Sequence, residues 1–148
     1  KFDETNVVHI KGAVKNPGTY FLSPSGKLSQ LIEMAGGINL FGEAGKHSPW
    51  MKYKDLIEKD PRTIIIMPCG YNIQKSIIEI DSLIKQKGWK EINAVQNDKV
   101  YITDGNQFFN RPGPRIIESL EILIEIFHND KTDFKHIDSG WINFDSTK

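Results

Sequence analysis

Residues 63–68 read "TIIIMP". Three consecutive isoleucines leave no room for polar alternation, so the run suits a strand covered on both faces, as in a parallel sheet. Residues 99–105, "KVYITDG", alternate and end in a turn, which predicts a second strand. Between them, Ile73, Ile77, Ile80 and Ile84 share one face of a helix expected over residues 73–86. Beyond the second strand, Ile116, Ile117, Leu120, Leu123, Ile124 and Phe127 form one stripe, widened by Ile122 and Ile126. That pattern predicts a helix over 115–127 covered on more than one side.

Working back from 63–68, Asp60-Pro61 ends a short helix expected around 53–59, and Ser48-Pro49 is a cap and first-turn pair for another. Leu28, Leu31, Ile32 and Ala35 fall at helical spacing, with Gly36-Gly37 as the stop. "VVHI", residues 7–10, reads as a strand, followed by the turn-rich "KGAVKNPGTY". Strands alternating with helices predict an α/β chain: a three-layer α/β/α lobe around a small, mainly parallel sheet of about three to five strands. The expected organisation is an unstructured start over residues 1–5, the lobe over 6–130, and a tail over 131–148. Phe134, Trp141 and Phe144 are expected to pin that tail onto the lobe.

At 148 residues the chain can bury a core without staples. Nineteen basic and nineteen acidic residues cancel, which removes the electrostatic footprint expected of a nucleic-acid binder. With Cys69 as the one cysteine there is no intrachain disulfide. The first 20 residues lack the apolar middle of a signal peptide, and no apolar run is long enough to span a bilayer.

In open α/β sheets ligands meet the loops at the strand ends. Three such segments stand out: Leu40–Pro49 with Trp50, Pro68–Tyr71, and Gln107–Arg111. They would bring Phe41, Trp50, Tyr71, Phe108 and Phe109 to one rim with Arg111. Aromatics plus a cation suit a large flat ligand with polar or anionic edges, although loop aromatics more often only cover a sheet edge. An arginine at a helix start gains nothing from the dipole, which makes Arg111 and Arg115 conspicuous. Arg115 has a structural alternative, pairing with Glu118 or Asp104. Cys69 lacks the small-residue elbow of a nucleophile, the four histidines show no dyad or metal spacing, and the glycines match no phosphate or dinucleotide loop. The residues point to binding rather than catalysis.

Taken in order, "LIEMAGGINLFGEAGKHSPW", "DLIEKDPRTIIIMPCGY" and "GWKEINAVQNDKVYITDGNQFFNRPGPRIIESLEILIEIFH" resemble the C-terminal lobe of cobalamin-type periplasmic binding proteins. The tail "DFKHIDSGWINF" is similar to the end of the same group, so the resemblance runs from about residue 28 to 144. These are the substrate-binding components of ATP-driven importers of corrinoids and iron chelates. The resemblance implies a non-enzymatic clamp with cobalamin or a related chelate as ligand, a periplasmic or otherwise extracytoplasmic location, and the membrane subunits of an ABC importer as partners. It also implies a missing N-terminal lobe. Trp50 and Arg111 fall where the family contacts the corrinoid, with Gln107 and Phe108 beside them and Phe41 and Tyr71 completing the expected set. A family glutamate that docks on the transporter falls at Lys54, leaving Asp55 as the acid for that role. Residues 6–37, with "GAVKNPGTY" and "AGG", also resemble the start of a soluble-ligand-binding β-grasp module. Such a start would allow a non-transport binding or interaction protein instead. The unbroken lobe match from Leu31 onward favours a diverged lobe start.

Overall fold

The computed structural model describes residues 7–10, 18–21, 28–41, 51–109, 115–128, 132 and 134–145, with the first two segments described as backbone. The expected start over 1–5, the cap at Ser48-Pro49 and the Asn110–Pro114 ramp lie outside them.

Strands β1 (Val7–Ile10) and β2 (Gly18–Phe21) form an antiparallel pair of their own. The main sheet has the order β3-β4-β5, from Ile64–Ile66, Val100–Thr103 and Trp141–Asn143. β3 and β4 run parallel, with Ile65 opposite Tyr101, whereas β5 is antiparallel to β4, with Ile142 opposite Ile102. The sheet is therefore mixed. The antiparallel strand comes from the tail, which joins the sheet instead of merely packing on it. Trp141 is buried there and Phe144 is half-buried, whereas Phe134 is 42% exposed.

Period-2 alternation sorts the strand residues onto two faces. Ile65, Tyr101 and Trp141 face helix α6 (Ile116–Phe127), which packs in turn on α1 (Leu28–Met34). Ile64, Ile66, Val100, Ile102 and Ile142 face the other layer. That layer comprises α2 (Tyr53–Lys59), α3 (Ile73–Glu79), α4 (Asp81–Ile84), a 3-10 turn at Trp89–Glu91 and α5 (Asn93–Gln96). The expected α/β/α layering is thus present.

Local chemistry explains the joins. α1 stops because Gly36 adopts φ 90°, letting Gly37 N–H return to the Ile32 carbonyl at 2.8 Å. α2 ends at Asp60, φ 42°, whose carboxylate then accepts the Asn93 N–H at 2.7 Å and starts α5. The helix expected over 73–86 is broken at Ile80, whose carbonyl takes both Leu83 N–H and Ile84 N–H, at 2.8 and 3.1 Å. Its buried face also differs from the isoleucine stripe. Ser76 is buried and Ile77 is 40% exposed, because the Ser76 hydroxyl satisfies itself on the Asn72 carbonyl at 2.9 Å.

Candidate functional site: the rim at the strand ends

The parallel strands β3 and β4 end side by side, and their following loops are bonded into one rim. Asn106 N–H donates to the Tyr71 carbonyl at 3.1 Å, and Tyr71 N–H to the Pro68 carbonyl at 3.2 Å. Gly105 makes this closeness possible, since a Cβ there would sit 2.3 Å from the Pro68 carbonyl oxygen. From Gly105 to Phe109 the chain makes a π-helical turn, a form frequent at functional sites.

Asp104 organises that turn. The residue is 4% exposed, and its Oδ1 accepts the backbone N–H groups of Asn106 and Gln107 at 3.0 and 2.9 Å. Its Oδ2 accepts Gln107 Nε2 at 3.0 Å, while Gln107 Oε1 accepts Arg115 Nη1 at 2.9 Å. Arg115 lies 5.7 Å from the Phe108 ring centroid and 4.0 Å from Glu118 at its Nε. Of its two alternative acid partners, Glu118 is the one in range, and Asp104 is reached only through Gln107. On the opposite side Lys75 Nζ stands 3.8 Å over the Tyr71 ring.

The expected ligand residues fare differently. Tyr71 and Gln107 do meet at the rim, but both ends of the Gln107 amide are already bonded to protein. Phe108 turns inward: it is 8% exposed and packs with Tyr101, Ile122, Ile126 and Trp141, because its apolar ring gains more from that cluster than from the rim. Phe41 likewise lies half-buried against the Leu56, Trp89 and Ile92 cluster, away from the role of an open rim aromatic. Trp50 and Arg111 lie outside the described residues. Asp55, expected to dock a transporter, is half-buried and spends one oxygen on the Lys52 N–H at 3.2 Å, a local cap for α2. Lys54 beside it is exposed. Sequence reasoning missed Lys75, and it named Asp104 only as a possible partner of Arg115; the turn-forming "TDGN" pattern was the available clue to its part in shaping the turn.

Cys69 is exposed, and His128 and His136 are engaged elsewhere, His128 with the Ala35 carbonyl at 2.9 Å and His136 with Glu121 at 2.8 Å. Among the described residues no group of His, Cys, Asp and Glu could hold a metal ion, and no helix is long and apolar enough to cross a membrane.

A lipoprotein of Bacillus subtilis, the uncharacterized ABC transporter substrate-binding lipoprotein YvrC, is 30% identical over 108 residues, 72% of this chain and 32% of that protein. The vitamin B12-binding protein of Vibrio cholerae is 27% identical over 94 residues, 63% of this chain and 30% of its own length. The chain matches part of the ABC transporter substrate-binding proteins. It spans about a third of the length of the relatives it matches. Those relatives are transport binding proteins, not enzymes, in line with the non-catalytic reading of the sequence.

Solved structures carry the same fold. The TroA-like periplasmic binding protein FepB from Veillonella parvula aligns over 74% of this chain and 34% of its own, at TM-score 0.55 and 23% identity. The ABC-type Fe3+-hydroxamate transport system protein from Saccharomonospora viridis aligns over 68% and 33%, at TM-score 0.56 and 21% identity. The SLBB domain matches residues 7–50, the stretch whose start resembles a β-grasp module and whose strands pair apart from the main sheet.

Proposed function

We propose that this chain is the ligand-binding part of an ABC importer's substrate-binding protein and holds cobalamin or a similar corrinoid or iron chelate at the β3–β4 rim without chemistry. The observation that carries the reading is the rim itself. Two loops following parallel strands are hydrogen-bonded together at the edge where open α/β folds bind ligands, with Tyr71, Lys75 of α3 and Arg115 at the start of α6 beside them. Trp50 and Arg111 would reach the same ligand from the neighbouring loops. A lobe of this size covers one side of a flat ligand, so a second lobe is the expected partner, together with the importer's membrane subunits on the Asp55 side. The working location is outside the cytoplasm. In this reading residues 7–50 form an SLBB-type segment and the lobe takes in the tail through β5.

Tryptophan fluorescence of the 148-residue chain, titrated with cobalamin, tests this. Saturable quenching that weakens in Trp50→Phe and Gly105→Ala supports it. A folded chain showing no quenching up to about millimolar cobalamin, weaker than roughly −4 kcal/mol, counts against it. The SLBB match favours a second reading, in which residues 7–50 carry the ligand or a partner. Quenching that survives Gly105→Ala unchanged would favour that one.

A further inference from the structure

Among the described residues two cations frame the rim, and neither belongs to the ligand set expected from the sequence. A continuous line of contacts joins them: Lys75 over the Tyr71 ring, the Tyr71 carbonyl to Asn106 N–H, and, through the next residue, the Gln107 amide to Arg115. Lys75, Asn106, Gln107 and Arg115 are exposed and Tyr71 is half-buried, so the line is a surface strip crossing the ends of β3 and β4.

The acids nearby are placed differently. Asp104 is 4% exposed, with both oxygens turned onto the N–H groups of Asn106 and Gln107. Glu118 reaches Arg115 only at 4.0 Å, at the outer limit of an ion pair, and Glu79 lies one turn along α3 from Lys75. The charge of Asp104 is therefore buried and spent on Asn106 and Gln107, whereas Lys75 and Arg115 are exposed. Gln107 sharpens this arrangement. Its amide is held at one end by Asp104 and holds the Arg115 guanidinium with the other, which fixes the cation at low entropic cost. The first turn of α6 is an unfavourable place for a positive charge, so an anion beside Arg115 would relieve that cost.

We propose that Lys75 and Arg115 read free carboxylates on the rim of the ligand. The chain would then prefer a flat macrocycle bearing carboxylates over the same macrocycle bearing amides, with Asp104 and Gln107 acting as positioning residues. The inference rests on the proposed binding function at this rim.

The test compares cobalamin, whose corrin periphery carries amides, with its hydrolysed derivative carrying peripheral carboxylates. Affinities are read by tryptophan quenching at low salt and at roughly molar salt. The expected result is a preference for the carboxylate form of roughly tenfold, reduced by salt. Lys75→Gln combined with Arg115→Gln brings the ratio of the two affinities close to one, Arg115→Lys restores part of it, and Gln107→Ala lowers it about threefold. Circular dichroism and Tm confirm that each variant is folded. Equal affinity for the two forms in the parent chain, or a preference that survives the double variant, overturns the anion inference while leaving corrinoid binding intact. Binding of neither form to the folded chain overturns the binding function and this inference with it.

Discussion

Among the described residues two carboxylates lie buried, and they do opposite work. Asp104, 4% exposed at the end of β4, is satisfied by N–H groups from the two residues just beyond Gly105. Glu125, 3% exposed on α6, is satisfied from far along the chain: its Oε2 accepts Trp141 Nε1 at 2.7 Å, and its Oε1 the His136 N–H at 3.4 Å. The local carboxylate shapes a turn at the rim. The distant one fastens β5 to the helix, alongside the His136–Glu121 contact and the T-shaped packing of Tyr101 on Trp141 at 5.5 Å. A buried acid with local donors can be lost without losing the fold, since the Asn106 N–H keeps the Tyr71 carbonyl and the exposed Gln107 can turn to water. A buried acid with distant donors cannot, because its removal strands an indole N–H in a dry core.

The comparison breaks most visibly at Trp141. Trp141→Ala should cost about 3–5 kcal/mol, read as a drop in Tm of about 10 °C, because it empties a core site and releases the third strand. Glu125→Ala should follow at about 2–3 kcal/mol, the cost of an unpaired indole donor plus a small cavity. Gly105→Ala should cost about 2 kcal/mol. The obstacle to its Cβ is the Pro68 carbonyl at 2.3 Å, backbone that must move, so the rim loops separate and cobalamin affinity falls with stability. Asp104→Ala should cost only about 1 kcal/mol while loosening Gln107 and Arg115. Denaturant titration of the last variant beside Glu125→Ala is decisive. Equal losses would mean that the distance of the donors is irrelevant and the contrast between the two acids is mistaken.

The same contrast separates what was legible in the sequence from what was not. β4 and the turn after it could be read from "KVYITDG", since the alternation and the Asp-Gly pair act over a few residues. The long stripe of α6 was readable for the same reason, and so was the conspicuous Arg115 at its start. Glu125 was invisible because a helical pattern counts apolar positions and says nothing about a polar one that finds a donor 16 residues away. β5 was missed with it. Three residues, Trp141–Asn143, carry too little periodicity to announce a strand, and their order comes from pairing with β4. Phe108 was assigned to the rim because a loop aromatic between Gln107 and Arg111 looks presented. What turned it inward was the cluster of Tyr101, Ile122 and Ile126, a tertiary environment that local sequence does not reveal. Ile77 and Ser76 exchanged roles on the same principle, the serine being free to bury once its hydroxyl had found a carbonyl.

The smallest effect tests the premise beneath the comparison, that the face of the sheet holding Trp141 excludes water. Tyr101 shares that face, is 7% exposed, and burial raises its phenol above the ordinary 10.0. In the unfolded chain the phenol ionises near that ordinary value, whereas the folded chain resists ionisation to higher pH. Between those two points unfolding releases a proton, so the contribution is fully present below about pH 10 and is lost as pH climbs through the folded value. Tyr53 shifts in the same direction, through burial first and then the charge of Glu91, so part of the alkaline loss will persist without Tyr101. Urea denaturation at pH 9 and pH 11 should therefore show a larger loss for the parent chain than for Tyr101→Phe. Parallel losses in the two proteins would mean that water reaches this face. Glu125 would then need no distant donor, and the reason for its Trp141 partner would have to be packing alone.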